Sequence, residues 1–376
     1  MIPPRPTTPL RLGIIGGSIR SAVGYTHWAA SQLDGCWKVV SGCFSRNPDI
    51  CRETGRVYQL PEKALFCDWQ TYICEQGSSL DAVVVLTPST DHVEIVCALL
   101  RAGVAVICEK AMVANVTESQ QVKAALETSG GFLAVTFNYS GYPMLRVLRR
   151  HVQAGDLGPL LQLQIEMPSD GFIQPLEQMH PQAWRMTDGV IPTILLDLGV
   201  HLHHLASFVS GQRPRKVTAD FHHMGAFPEV VDNAYLWLEY EQGMRASFWL
   251  SKAALGHRNG LRLRLYGEQG SAEWLQEEPE RLHLFQKTSS RLTLDRANCS
   301  YPEEIRERFK AGHPGGFVEA FANLYGDIAE ALVQHRRSRV VQSPYVFGWD
   351  HADEGLRLLQ TAAVAHQQRQ WLEVMA

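Results

Sequence analysis

The chain has 376 residues, a formal net charge of −4, 45% hydrophobic residues and 20% charged residues. That balance suits a soluble globular protein of two domains or one large one, and it gives no reason to expect nucleic acid or an anionic membrane as a partner. No apolar run approaches the ~20 residues of a spanning helix. Eight scattered cysteines, seven of them before residue 109 and none in a Cys-x-x-Cys pair, read as buried thiols of a reducing cytoplasm.

Residues 1–9 read as a flexible lead-in. Arg11–Ile15 is a short strand ending in Gly16, Gly17 and Ser18, and a helix follows from about Ala22 to Leu33. Strand, glycine turn and helix open a dinucleotide-binding unit. Ser18 and Ser21 stand where the strict glycine fingerprint has its second and third glycines, and Gly24 arrives late, which predicts a longer loop. A second strand, Lys38–Phe44, ends in Ser45 and Arg46. An NAD site would place an acidic residue there for the ribose diol. A hydroxyl and a guanidinium suit a 2′-phosphate better, so NADP is favoured over NAD.

The apolar run Asp81–Leu86 leads into Thr87 and Pro88, as a buried parallel strand would. A helix opens at Ser89–His92, and its hydroxyls and amides can bind the cofactor's ribose and phosphates. The next strand, Gly103–Cys108, delivers Glu109, Lys110 and Ala111 to its carboxyl end, where ligands of open α/β sheets sit. An ammonium group there can polarise a reacting oxygen. A helix over about 117–128 and a strand over 132–137 complete a doubly wound domain spanning 10–137.

From residue 138 the character changes. A helix (Tyr142 to Ala154), the strand Leu160–Met167 and a polar loop holding Asp170, His180, Trp184 and Arg185 lead to the run Ile194–Leu205. That run reads as a helix. At about 100° per residue, Asp197, His201 and His204 fall within roughly 60° of one another, and His203 points away. A carboxylate one turn before an imidazole is the arrangement of an oriented general base. Consecutive strands follow, over 216–222, 234–240, 244–251, 261–266, 271–275 and 281–285. Turn signals lie at Glu241–Gly243 and Gly267–Gly270. His313 precedes a helix over 316–334, where it can donate to a substrate hydroxyl, and a last helix covers about 351–369. The second domain, 138–376, is therefore α+β with a large open, mostly antiparallel sheet, and its C-terminal helices are free to pack back on the first.

Taken together, Thr87-Pro88 with His92, the run ending Cys108-Glu109-Lys110, and Asp197 with Gly199 and His201 resemble the Gfo/Idh/MocA family of sugar and cyclitol oxidoreductases. Trp184-Arg185, Asp232, Gly267 with Gly270, and His313 support the likeness, which covers nearly the whole chain. The resemblance implies Lys110, Asp197 and His201 as the catalytic set. Gly16, Gly17, Ser18, Ser21, Gly24, Ser45, Arg46, Thr87, Pro88, His92 and Glu109 are the candidate cofactor residues. Trp184, Arg185, His204 and His313 are the candidate substrate contacts. It also implies a C-terminal sheet used to form a homodimer or homotetramer. Ala111 stands where the family has proline, and Ile191-Pro192-Thr193 where it has glycines.

The leading expectation is NADP- or NAD-dependent hydride transfer to or from a carbinol carbon. His201 takes the hydroxyl proton, Asp197 orients His201, and Lys110 stabilises the alkoxide. A non-catalytic nucleotide-sensing scaffold and an NAD-dependent glycosidase on the same fold are the competing readings. A zinc site built from Asp197, His201 and His204 with His222 or His223 is the rival for the histidines. No metal is expected, because no cysteine or second acidic cluster lies at ligand spacing.

Overall fold

The computed structural model describes residues 8–173, 181–287 and 290–375. The chain divides into two compact units, residues 1–141 with 317–352 and residues 142–316 with 353–376.

The first unit carries a five-stranded parallel sheet built from β1 (Leu10–Gly16), β2 (Trp37–Cys43), β3 (Ala82–Leu86), β4 (Ala105–Cys108) and β5 (Leu133–Val135) in the order β2-β1-β3-β4-β5. Helices α1 (Gly24–Leu33), α2 (Pro48–Val57), α3 (Trp69–Gln76), α4 (His92–Arg101) and α5 (Val116–Ser129) supply the crossovers. Val83, Val84, Val85, Val106 and Ile107 are wholly buried, as central parallel strands covered on both faces must be. The chain reverses its winding between β1 and β3, and there Gly16 pairs with Leu86. That is the switch point at which open α/β sheets bind ligands.

A late helix, α8 (Phe317–Ser338), also belongs to this unit. Its Phe321, Leu324, Tyr325 and Ile328 join Leu12, Ile14 and Trp37 in one apolar core. Trp37 Nε1 donates to the Tyr325 carbonyl at 2.8 Å. A buried indole needs an acceptor, and the helix provides it.

In the second unit, a nine-stranded sheet runs β13-β12-β11-β10-β6-β9-β8-β7-β14. Its strands are β6 (Leu160–Pro168), β7 (Pro214–His222), β8 (Asn233–Tyr240), β9 (Arg245–Ser251), β10 (Arg262–Gly267), β11 (Gly270–Leu275), β12 (Leu282–Gln286), β13 (Arg291–Leu294) and β14 (Leu372–Glu373). Every neighbouring pair is antiparallel except β6 with β9. Strict alternation places Leu163, Ile165, Phe248, Leu250, Leu236 and Leu263 in the core. The opposite face carries Tyr235, Trp237 and Trp249, with ring centroids 6.2 Å apart in two stacked pairs. Trp237 remains 44% exposed. Two further helices of this unit are α6 (Pro143–Gln153) and α7 (Val200–Ser210). The last helix, α9, spans Trp349–Gln368. Among the described residues, no helix is long and apolar enough to cross a membrane.

Candidate active site

The glycine turn after β1 is closed by backbone contacts that leave no room for side chains. Gly16 and Gly17 adopt φ of +80° and +63°, a region that L residues avoid. A Cβ on Gly16 would lie 2.7 Å from the Leu86 carbonyl carbon and the Thr87 nitrogen. One on Gly24 would lie 2.2 Å from the Gly17 oxygen. Gly24 thus does the close-packing work of the fingerprint's missing third glycine, from a longer loop. The two serines build that loop. Ser18 Oγ accepts from Arg20 N, and Ser21 Oγ accepts from the amides of Val23 and Gly24. Helix α1 starts with no acidic residue in its first turn, so its amide end can attract an anion. Beside it, Thr87 Oγ1 is buried with no hydrogen-bond partner among the described residues. Glycine turn, helix start and open hydroxyl fit the pyrophosphate and ribose of a dinucleotide.

Ser45 and Arg46 follow β2. Ser45 Oγ accepts from Asn47 N at 3.1 Å, and Arg46 is exposed. Pro88 is exposed beyond β3. His92, in contrast, is wholly buried. Its Nε2 lies 2.8 Å from the Thr87 carbonyl, and its Nδ1 lies 3.0 and 3.2 Å from those of Ala111 and Met112. Burial pushes its pKa down against the pull of these carbonyls and of Glu109. The imidazole is therefore a strut between two strand-end turns, and any effect on a ligand is indirect.

Lys110 emerges half-buried from the end of β4, and the Lys110–Ala111 peptide is cis. Glu109 turns inward. Its Oε1 accepts from Thr136 Oγ1 at 2.6 Å and lies 3.7 Å from His27 Nε2, while His27 Nδ1 meets the Tyr325 hydroxyl at 2.8 Å. Burial alone would raise the Glu109 carboxyl. The nearby His27 imidazole, the Lys110 charge and the Thr136 hydrogen bond outweigh it and hold the pKa at about 2. A carboxyl depressed on folding contributes stability above its unfolded pKa and loses it as pH falls through the folded one. Glu109→Gln is therefore expected to melt below the parent near neutral pH. The gap should close between the ordinary value of 4.5 and about 2. Thermal melts across that window check this, and a constant gap would contradict it.

In the second unit, the expected helix at Asp197 begins differently. Leu195–Gly199 is a π-turn, and α7 proper starts at Val200. The 100° spacing therefore does not hold through its first turn, and such turns recur at functional sites. Asp188 anchors the entry by accepting from Thr193 N at 2.7 Å and from Val231 N at 2.7 Å. The Asp197 carboxylate is clasped by two cations. Lys252 Nζ donates to Oδ2 at 3.0 Å, and Arg185 Nε and Nη2 donate to Oδ2 and Oδ1 at 3.2 and 3.4 Å. Arg185 also lies 4.3 Å over the Trp184 ring, and both side chains bond Gln182 Oε1. Arg185, expected at the substrate, is held against Asp197 by this pair. Two cations also make this carboxylate a poor ligand for a third, which speaks against the zinc reading.

His201 is 6% exposed. His204, expected to touch substrate, is wholly buried and stacked on Phe208 at 5.8 Å. His203, also buried, meets Glu354 Oε1 at 3.4 Å. Asp232 is a loop anchor, accepting from the amides of Met224 and Gly225. His313 is exposed, and its carbonyl accepts from Arg296. His180 lies outside the described residues. Sequence reasoning missed Lys252 and Asp188. The one local signal for the former is a lysine directly after the strand Arg245–Ser251.

Comparison with known proteins gives matches along nearly the whole chain. Residues 10–137 match the oxidoreductase family model with an NAD-binding Rossmann fold, and residues 145–273 match the GFO/IDH/MocA C-terminal domain. The uncharacterised oxidoreductase YfiI of Bacillus subtilis is 28% identical over 97% of each chain. An inositol dehydrogenase homologue of Azotobacter vinelandii, crystallised with NADH and myo-inositol, is 25% identical over 98% of each chain, with a TM-score of 0.88. The NADP-dependent scyllo-inositol 2-dehydrogenase IolW of Bacillus subtilis is 28% identical over 51% of each chain.

Proposed function

Because the chain belongs to the Gfo/Idh/MocA oxidoreductase family, we propose that it moves a hydride between a nicotinamide dinucleotide and a carbinol carbon of a sugar, sugar derivative or cyclitol. The observation that carries this reading is the tight glycine turn at the β1/β3 switch point together with Lys110 at the end of β4. The relatives supply the substrate class, since two of them act on or were crystallised with inositols.

The nicotinamide, when bound, supplies the hydride acceptor or donor. Gly16, Gly17 and Gly24 admit the dinucleotide backbone, and the start of α1 attracts its pyrophosphate. Lys110 stabilises negative charge developing on the reacting oxygen. His201 accepts the hydroxyl proton, and Asp197 fixes its orientation. A panel of inositols, free sugars and nucleotide-linked sugars, each with NAD+ and NADP+, tests the reading by the absorbance of reduced nicotinamide. Cofactor binding without turnover on any member would sink it.

Ser45 and Arg46 favour NADP, because a guanidinium pairs with a 2′-phosphate. Arg46→Ala is expected to raise the KM for NADP roughly tenfold and leave that for NAD nearly unchanged, about the effect of one charge-assisted contact. Equal changes for both cofactors would contradict this. The stacked face of Tyr235, Trp237 and Trp249 favours association with a second copy of the chain. Sedimentation showing only monomer would rule that out.

A further inference from the structure

We propose that Lys252 is a positioning residue for the reaction, holding the Asp197 carboxylate in the one orientation from which it can serve His201. This rests on the proposed function and adds a residue to it.

The argument starts from where Lys252 sits. It follows Ser251, the last residue of β9, whose neighbours in the sheet are β6 and β8. Its backbone is pinned on both sides. Its amide donates to the Asp232 carbonyl at 2.7 Å, and its own carbonyl accepts from Phe172 N at 2.8 Å. The side chain is sheathed as well, with Nζ 5.0 Å from the Phe172 ring centroid. The two side chains of the pair are only 10% and 12% exposed.

A pair this buried differs from a surface salt bridge. Desolvating both ions costs about as much as their attraction returns, so such a pair adds little net stability. What it does supply is geometry. A carboxylate offers about four lone-pair directions. Lys252 and the two Arg185 nitrogens engage it from fixed directions, and those directions set how the carboxylate faces any further donor. In the proposed function that donor is His201. The two cations are not equivalent. Arg185 comes from the short helical turn Ala183–Met186, and its side chain is 23% exposed. Lys252 directly follows β9, an interior strand of the nine-stranded sheet, and its backbone is hydrogen-bonded on both sides. Arg185 clasps the carboxylate, and Lys252 sets where it is clasped.

The test uses the full-length protein and three variants, Lys252→Met, Lys252→Gln and Lys252→Arg. Each is measured on the polyol and cofactor that the panel identifies, and each is crystallised. Met keeps the stem and removes the charge, while Gln also keeps a donor. With Asp197 misplaced, kcat is expected to fall roughly 10- to 100-fold in the Met and Gln variants. KM should change by less than about threefold, as expected when an interaction made in the transition state is lost. Arg should recover most of the loss, and Asp197 should rotate away from its parent position in the Met crystal. A folded Met variant with kcat within about twofold of the parent would overturn the assignment, as would an unmoved Asp197. Loss of folding in both the Met and Gln variants would show that the pair serves stability, and would also overturn it. His201→Ala separates the two levels of argument. If that variant is inactive while Lys252→Met is normal, only this inference fails. If His201→Ala turns over normally, or the parent turns over nothing in the panel, the functional reading fails and takes the inference with it.

Discussion

His201→Ala is expected to lower kcat by roughly 100- to 10,000-fold, the range for a positioned general base. The dissociation constant of the cofactor should stay within about twofold, because the residues proposed to hold it belong to the first unit and His201 to the second. Lys110→Ala should give a loss of similar size, since it removes the one ammonium group that the first unit delivers at the end of β4. Removing a single stabiliser of a developing oxyanion typically costs 100- to 1,000-fold. Fluorescence titration of reduced cofactor measures the binding, and steady-state rates measure the chemistry. If both variants retained turnover, the assignment of acid–base and electrostatic roles would be wrong. Unchanged rates with weakened cofactor binding would relocate Lys110 to the nucleotide site alone.

The second large effect is expected at Gly24. A Cβ there would lie 2.2 Å from the Gly17 oxygen and 2.6 Å from its carbonyl carbon, both backbone atoms. No side-chain rotation relieves such a contact, so either the start of α1 or the glycine turn must move. Gly24→Ala is therefore expected to destabilise the fold by about 1–3 kcal/mol, the cost of overpacking a closed site. It should also weaken cofactor binding at least tenfold, because the turn that moves is the proposed phosphate cradle. Gly155→Ala serves as the control. Gly155 has a positive φ, of +81°, so alanine there strains the backbone, but a Cβ meets nothing within 4 Å. It should cost stability alone and leave binding intact. Normal affinity in Gly24→Ala would show that the turn does not hold the dinucleotide.

Much of the fold was legible because its signals are local. The apolar runs at Val83–Leu86 and Val106–Cys108 have the composition of buried parallel strands, and the alternation in Asn233–Tyr240 and Arg245–Ser251 marks a sheet with two different faces. The short edge strands Arg291–Leu294 and Leu372–Glu373 leave no readable signal, since four and two residues carry too little pattern. Helix α8 was readable as a helix. Its place in the core of the first unit depends on Trp37 finding the Tyr325 carbonyl 288 residues away.

The candidate site divides along the same line. Residue types at strand ends and helix starts pointed to Gly16, Gly17, Lys110 and His201. What each polar group is bonded to was not legible. Asp197 pairs with Arg185, 12 residues before it, and Lys252, 55 residues after it, and no local pattern signals either contact. Glu109 follows a strand end, and its carboxylate faces His27 and Thr136, residues far from it in the chain. Partners of this kind are chosen by tertiary packing, which leaves no periodic trace. The π-turn at Leu195–Gly199 likewise has an α-helical pattern of apolar residues and departs from it only in hydrogen bonding.

Hydride transfer itself is tested most directly with isotope. The protein is incubated with oxidised nicotinamide dinucleotide and carbon-deuterated inositols or sugars, and the cofactor is then weighed by mass spectrometry. The account predicts reduced cofactor carrying one added deuterium, with the polyol oxidised in equal amount. Cofactor that stays oxidised and undeuterated while the sugar is unchanged, or while a glycosidic bond is cleaved, would contradict it.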